Sequence, residues 1–209
     1  MGAFTNGLME YMDKGGPIMY VLALFSIMAL VVIIYKGFIL YKARINTSEF
    51  LGRLKAILRK KNIKAAIDLC EEYRSPIASI LKAGLLKFGR PQEEIEKAME
   101  NAAIHEIARL EKGLGILASV ANLAPMLGFL GTVTGMIQSF DAMSKLNDPG
   151  KVAEGISEAL ITTAGGLIVA VPVLMFYNYY TSLIAGFIRE IESASNVLLE
   201  TFGEIESLQ

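Results

Sequence analysis

The amino-acid sequence predicts an all-α membrane protein with three transmembrane helices, of which the second and third extend into a helical cytoplasmic domain. Of its 209 residues, 53% are hydrophobic, and the mean hydropathy is +0.45. Charged residues are confined to blocks between three long uncharged runs, at 15–35, 113–140 and 159–188. Each run provides the roughly 20 residues that a helix needs to cross a hydrocarbon core about 30 Å thick. Such a distribution is typical of membrane proteins.

The distribution of lysine and arginine predicts the orientation of the chain. Fifteen of the 20 Lys and Arg residues fall within 41–112, so the positive-inside rule places this segment in the cytoplasm. The N-terminus is then outside and the C-terminus is cytoplasmic. The predicted order is an outer N-terminal segment at 1–14, transmembrane helix 1 at 15–40, a helical cytoplasmic domain at 41–112, transmembrane helix 2 at 113–140, an outer loop at 141–157, transmembrane helix 3 at 158–188 and a cytoplasmic C-terminal helix at 189–209.

The cytoplasmic segments are predicted to be helical throughout. After Pro91, apolar residues recur every three or four positions, and this pattern has no stop before the membrane. It predicts one helix from about 91 to 140, on the order of 75 Å long. The third helix is expected to continue past Arg189, because one face stays apolar among acidic residues. Shorter helices are predicted around 46–61, 63–73 and 76–88, separated by Asn62 and by Ser75-Pro76.

The second span carries a stripe of small and polar residues at alternating steps of four and three. Its members are Ala121, Pro125, Gly128, Thr132, Gly135 and Ser139. Such a face lets another helix approach closely, or it lines a pore. Helix packing through Pro125, Gly128, Gly131 and Gly135 is the simpler interpretation. It leaves Thr132 least explained, although a threonine hydroxyl can also bond its own helix backbone.

The third span begins with Glu158, and Thr162 and Thr163 follow one turn later. Pro172 near its middle predicts a kink and a packing position, not a site. Tyrosines between 177 and 180 suit the inner membrane boundary, and counting back about 20 residues places Glu158 at the outer one. Thr163 then lies roughly 8 Å inside that boundary and Thr132 about 12 Å inside it. The two threonines are therefore predicted to share a depth.

Glu158 has two interpretations. It is either an interfacial acid favoured by the positive end of a helix dipole, or the entrance to an ion path, above the two threonines. Between the outer boundary and the inner tyrosines, the three spans contain no Asp, Glu, Lys, Arg or His. Proton relays normally use titratable groups inside the membrane. The chain is therefore predicted to form the wall of a path whose carrier carboxylate is supplied by another protein.

Other kinds of site are not indicated by the sequence. The segment from His105 to Arg109 resembles half of a zinc-protease motif, but arginine replaces the second histidine. There is no G-x-x-x-x-G-K-[ST] or G-x-G-x-x-G phosphate loop, and no basic cluster with interleaved aromatic residues. We therefore expect no enzyme activity, catalytic residue, cofactor, metal ion or nucleic-acid partner.

Two segments resemble the core signature of the MotA/TolQ/ExbB proton-channel family. They are APMLGFLGTVTGMIQSF, at 124–140, and GISEALITTAGGL, at 155–167. The three-span plan and the large cytoplasmic insert match the ExbB/TolQ branch over the whole chain. By this resemblance Thr132 is the threonine of the Gly-Thr-Val element, Glu158 is the glutamate of Glu-Ala-Leu, and Thr163 is the threonine five positions after it. Thr162 stands where relatives often have alanine, so a pore-lining role for it is less defined.

The resemblance also implies an assembly. Five copies would surround a pore holding the single transmembrane helices of an ExbD/TolR-type partner, whose membrane aspartate takes up and releases protons. A TonB/TolA-type protein would receive the mechanical work that this assembly performs. We accordingly expect a multi-pass protein among the lipids of a bacterial inner membrane, whose outer side is the periplasm. An ExbB-type motor subunit that energises TonB-type transport is the leading hypothesis. The alternatives are a TolQ-like subunit of the envelope-maintenance motor and a non-conducting membrane scaffold.

Overall fold

The computed structural model describes residues 11–146 and 148–207, and it contains no β-strand within those ranges. Three of its helices are long and apolar enough to cross a membrane. The prediction of an all-α membrane protein is therefore confirmed. Part of the predicted outer N-terminal segment (1–10), residue 147 of the outer loop and the last two residues of the C-terminal helix lie outside the described residues.

The helices are numbered in chain order. Residues 11–14 are helical, and the helices that begin after them are α1 (Gly16–Ala43), α2 (Thr47–Arg59), α3 (Ile63–Tyr73), α4 (Pro76–Leu85), α5 (Gln92–Glu111), α6 (Leu114–Leu146) and α7 (Pro149–Ser207). The chain divides into two compact units. The first unit takes residues up to Tyr35 together with Gly113–Tyr179, and the second takes Lys36–Lys112 together with the chain from Tyr180 onward. Helices α1 and α7 therefore contribute residues to both units.

Short polar residues begin the three helices that follow α1. The side-chain oxygens of Asn46, Asn62 and Ser75 each accept a hydrogen bond, at 3.1–3.3 Å, from the backbone N–H three residues further on. These N-caps satisfy N–H groups that have no partner within a helix. They are the physical reason why helices start after Asn62 and after Ser75, where breaks were predicted.

The second unit has an apolar core formed by α2, α3, α4, α5 and the C-terminal part of α7. Its fully buried side chains include Phe50, Ile80 and Leu198. Cys70 also lies in this core, and burial raises the pKa of its thiol to about 12. Because the thiolate is the reactive form, Cys70 is inert at neutral pH.

The structure interrupts the long helix predicted from about 91 to 140. Helix α5 ends at Glu111 and α6 begins at Leu114. Gly113, between them, has a φ of 92°, a backbone conformation that glycine adopts without steric cost. The apolar pattern continues across this point, so periodicity does not reveal the break. The prediction of a single helix is wrong here.

Most of the segment predicted as an outer loop is helical. Helix α6 runs to Leu146 and α7 begins at Pro149, so only residues 147 and 148 separate them. The Asp148 Oδ1 accepts hydrogen bonds from the N–H groups of Gly150 (2.9 Å) and Lys151 (3.3 Å). These bonds cap the first turn of α7. A capped polar helix has the same composition as a polar loop, so the residue pattern does not distinguish the two.

A buried lysine of the second unit donates a hydrogen bond to the last turn of α5. Lys36 of α1 is 1% exposed, and its Nζ donates a hydrogen bond to the backbone carbonyl of Leu110 at 2.7 Å. Carbonyls in the last turn of a helix lack a donor four residues later. A cation is also favoured there by the helix dipole. Lys36 therefore links the inner part of α1 to α5.

We expect Lys36→Met to loosen the last turn of α5. Methionine preserves the apolar stem but leaves the Leu110 carbonyl without its donor, which costs about 1–3 kcal/mol in a buried position. Amide hydrogen exchange at residues 108–112 should accelerate about tenfold or more, since 1.4 kcal/mol corresponds to a factor of ten. Lys42→Met, on the exposed side of the same helix, is the control. Equal exchange rates in the two variants would rule out this role.

Candidate functional site

The candidate site lies along the seam between α6 and α7 in the first unit. Glycines bring the two helices close together at four positions, Gly128, Gly131 and Gly135 on α6 and Gly166 on α7. A methyl group added at any of them would lie closer to atoms of the opposite helix than ordinary van der Waals contact allows. Ser139 adds a polar contact, because its Oγ lies 3.1 Å from the Val152 carbonyl oxygen on α7. The stripe of small residues therefore faces α7. Helix packing accounts for most of its members.

Thr163 connects the two helices through its hydroxyl. Its Oγ1 lies 3.0 Å from the carbonyl oxygen of Gly128 on α6 and 3.2 Å from that of Ala159 on its own helix. The hydroxyl has a single proton, so it donates to one of the two carbonyls at a time. The side chain is half-buried. Its oxygen keeps acceptor capacity while its proton is engaged.

Thr132 lies on the same side of α6, one turn from Gly128. Its Oγ1 donates to the carbonyl of Phe129 at 2.6 Å, and its side chain is half-buried. The hydroxyls of Thr163 and Thr132 thus bond to the carbonyls of two consecutive residues of α6, Gly128 and Phe129. Consecutive carbonyls are about 1.5 Å apart along a helix axis. The depth of the two threonines in a membrane stays a prediction, and these contacts agree with it.

Thr162 occupies the interior of the seam. It is 1% exposed, and its side chain fills the space beside Gly131. Its hydroxyl lies 3.1 Å from the Glu158 carbonyl oxygen and 2.9 Å from the Ala159 carbonyl oxygen, both on α7 itself. This arrangement satisfies the hydroxyl within its own helix. In the single chain, Thr162 is a packing residue with no open surface on which to line a path.

Glu158 faces a different helix from Thr163. Five residues along an α-helix correspond to a rotation that leaves the two side chains about 140° apart. The Glu158 carboxylate lies against Gly16, the first residue of α1, whereas the Thr163 hydroxyl contacts α6. Within one chain, Glu158 therefore does not stand directly above the two threonines. The structure brings Thr132 and Thr163 to one seam and leaves Glu158 beside Gly16, on the α1 side.

Pro125 and Pro172, the two prolines predicted to pack, lie inside continuous helices. Pro125 is half-buried on α6, close to the seam. Pro172 is exposed on α7. In the single chain Pro172 therefore adds little to packing, and its packing role stays a prediction for the assembly. The sequence shows where a proline removes an N–H donor from a helix, but it does not show which surface of the helix the proline lies on.

Two residues of the first unit were missed by sequence reasoning. Asn122 is exposed on α6, and its Nδ2 donates to the Ala118 carbonyl at 2.9 Å. A neutral amide inside an uncharged run carries neither a charge nor a hydroxyl group, the two signals that mark the other polar positions. Gly16 contacts Glu158 from a distant part of the chain. No local pattern signals that contact.

The seam has hydroxyls and carbonyls but no charged group. Between Leu114 and Phe140, and between Ala159 and Ile188, the sequence has no acidic or basic side chain. Among the described residues there is no group of three or more His, Cys, Asp or Glu side chains that could hold a metal ion. Threonine hydroxyls can solvate a proton carrier, but they do not titrate at physiological pH. The seam can line a path, and between Leu114 and Phe140 and between Ala159 and Ile188 it has no Asp, Glu, Lys, Arg or His side chain to relay a proton.

Comparison with known proteins gives a consistent result. A family model described as the MotA/TolQ/ExbB proton channel family matches residues 72–193. The chain is 34% identical to a putative biopolymer transport protein ExbB homolog of Methanothermobacter thermautotrophicus over 190 residues, covering 90% of this chain and 68% of that protein. It is 32% identical to a putative biopolymer transport protein, ExbB-like 1, of Synechocystis, covering 86% and 72%. The Tol-Pal system protein TolQ of Pseudomonas aeruginosa is 32% identical over 140 residues, covering 56% and 61%.

We expect Gly131→Val to weaken the seam, because the added side chain overlaps Thr162. Overpacking of this kind typically costs about 1–3 kcal/mol. For a chain of this size, that lowers the thermal unfolding midpoint by roughly 2–4 °C per kcal/mol. Gly115→Val is the control, since a Cβ at Gly115 on the same helix meets nothing within 4 Å. Equal melting temperatures for the two variants in detergent would show that the Gly131 contact is unimportant.

Proposed function

Because this chain belongs to the MotA/TolQ/ExbB proton channel family, we propose that it forms the wall of a proton-conducting motor complex in the inner membrane. It would convert the proton-motive force into mechanical work on envelope proteins. The observation that carries the proposal is the seam of Thr132 and Thr163, between two tightly packed spans that contain no charged group. More specifically, the proposed role is that of an ExbB-type subunit in a TonB-type energised transport system.

The proposed mechanism divides the work between two proteins. The hydroxyls of Thr132 and Thr163 solvate a protonatable group as it passes, and they offer both a donor and an acceptor to it. A single-span ExbD-type partner supplies that group as a membrane aspartate. The transmembrane potential contributes about 2.3 kcal/mol per charge per 100 mV, which biases proton uptake and release in one direction.

The proposed assembly is a homopentamer around the partner's helices. Large apolar side chains beside the threonines support it, because Phe129, Leu160 and Leu167 are all exposed in the single chain. Neighbouring copies, the partner or lipid would cover them. The proposed orientation has the N-terminus in the periplasm and the C-terminus in the cytoplasm. The concentration of basic residues in 41–112 supports this orientation.

Glu158 is proposed to act at the periplasmic rim. A carboxylate at the entrance of a narrow, apolar-walled path raises the local concentration of cations. Its position about 8 Å outward of Thr163, on another face of α7, excludes a direct hydrogen bond between the two side chains. Glu158 therefore loads or gates the path from outside, and the partner's aspartate carries the proton through it.

Two alternatives make different predictions. A TolQ-like role in envelope maintenance uses the same wall with a different partner, and it is supported by the match to TolQ of Pseudomonas aeruginosa. A non-conducting scaffold would use the glycine seam only for packing, and the bonds of both threonine hydroxyls to backbone carbonyls are compatible with that role. Potential-driven proton uptake by vesicles containing the chain and its partner excludes the scaffold.

We expect Thr163→Val and Thr132→Val to reduce that proton uptake about tenfold or more, since a hydrogen bond to a charged group is worth about 1.5–3 kcal/mol. Valine has nearly the same shape as threonine, and an interhelical hydrogen bond in a membrane contributes only about 0.6 kcal/mol to stability. Assembly should therefore be preserved.

Thr134→Val is the matched control for these variants. The Thr134 hydroxyl bonds only to carbonyls of its own helix, at Leu130 and Gly131, both at 3.1 Å. It is two residues from Thr132, so it points to a different side of α6. Its loss should leave proton uptake unchanged. Full uptake in both Thr163→Val and Thr132→Val would disprove the proposed path.

A further inference from the structure

We propose that Gly16 is a positioning residue for Glu158, so that the outer end of α1 fixes the rim carboxylate in place. This inference rests on the role proposed above for Glu158. Gly16 is the first residue of α1, and Glu158 lies near the outer end of α7. Helix α1 would then belong to the functional apparatus and not only to the membrane anchor.

The space beside Gly16 is filled by the glutamate side chain. If Gly16 carried a Cβ, the three nearest atoms would be Oε1, Cδ and Cγ of Glu158, and the carboxylate oxygen would overlap with it. Gly16 also has a φ of 65°, a conformation that side-chain-bearing residues rarely adopt. A side chain at this position would be strained by the backbone conformation, and its Cβ would displace the Glu158 carboxylate.

Contacts further along α1 hold the carboxylate at this position. Met19 and Leu22 of α1 pack beside Gly165, and Gly15 lies beside Ile161. Glu158, Ile161 and Gly165 are spaced by three and four residues, so they form one face of α7 directed at α1. Glu158 is the outermost member of that face. Its side chain is half-buried and is therefore restricted by the packing beneath it.

The electrostatic environment also favours the arrangement. The first N–H groups of a helix have no partner within it, and they give its N-terminus a partial positive charge. The Glu158 carboxylate lies at that end of α1, a helix of 28 residues. Packing and electrostatics therefore both hold the carboxylate on the α1 side.

The test is the reactivity of Glu158 toward a hydrophobic carbodiimide in membranes containing the full complex, measured by peptide mass spectrometry. In Gly16→Ala the added methyl group displaces the carboxylate from α1, and we expect labelling of Glu158 to rise several-fold. Gly89→Ala is the control, because Gly89 has a φ of 80° and nothing within 4 Å of an added Cβ. It introduces the same kind of backbone strain without touching Glu158. Unchanged labelling in Gly16→Ala would overturn the inference.

A second measurement applies if Gly16→Ala assembles poorly. Glu158→Asp shortens the side chain, so the double variant Gly16→Ala/Glu158→Asp should recover thermal stability relative to Gly16→Ala alone. Purely additive effects would overturn the inference, because residues that do not interact contribute independently. Labelling and stability do not depend on proton flux. Full proton flux in Glu158→Gln would refute the function proposed for the acid. The contact between Glu158 and Gly16 is tested separately, by the labelling and stability measurements.

Discussion

Close packing between α6 and α7, at Gly128, Gly131 and Gly135, determines where the polar side chains of the first unit lie. Lipid provides no hydrophobic force that drives apolar helices together, so association within a membrane depends on close packing and on hydrogen bonds between helices. Both are present here, because the absence of a Cβ at Gly128 leaves room for α7 and for the Thr163 hydroxyl to reach the Gly128 carbonyl. A bulky residue in this row would move α7, and with it both threonine and glutamate.

The same packing explains how a polar seam is tolerated in apolar spans. Every threonine hydroxyl on the seam has a backbone carbonyl within hydrogen-bonding distance, so none is buried without a partner. A charged side chain at the same depth would be far more costly. In the proposed mechanism the charge of this chain stays at Glu158 and the mobile carboxylate comes from a partner, which avoids that cost. The proposed division suits spans that contain hydroxyls but no Asp, Glu, Lys, Arg or His between the predicted outer boundary and the inner tyrosines.

Some of this organisation is visible in the sequence, and some is not. The three spans follow from long uncharged runs, and the helix starts after Asn62 and Ser75 follow from capping chemistry, because both signals are local. The stagger of α6 against α7, the break at Gly113 and the contact between Gly16 and Glu158 depend on which surfaces meet. A count of residues from the membrane boundary cannot supply that information. It places Glu158 outward of Thr163 but does not show that the two side chains face different helices.

The central claim is that this chain forms the wall of a proton path and that the carrier comes from another protein. Its most direct test is potential-driven proton uptake by vesicles prepared in three ways: with the purified chain alone, with the chain and its single-span partner, and with a partner whose membrane aspartate is replaced by asparagine. The account predicts uptake only in the second preparation. Comparable uptake by vesicles containing the chain alone would contradict it.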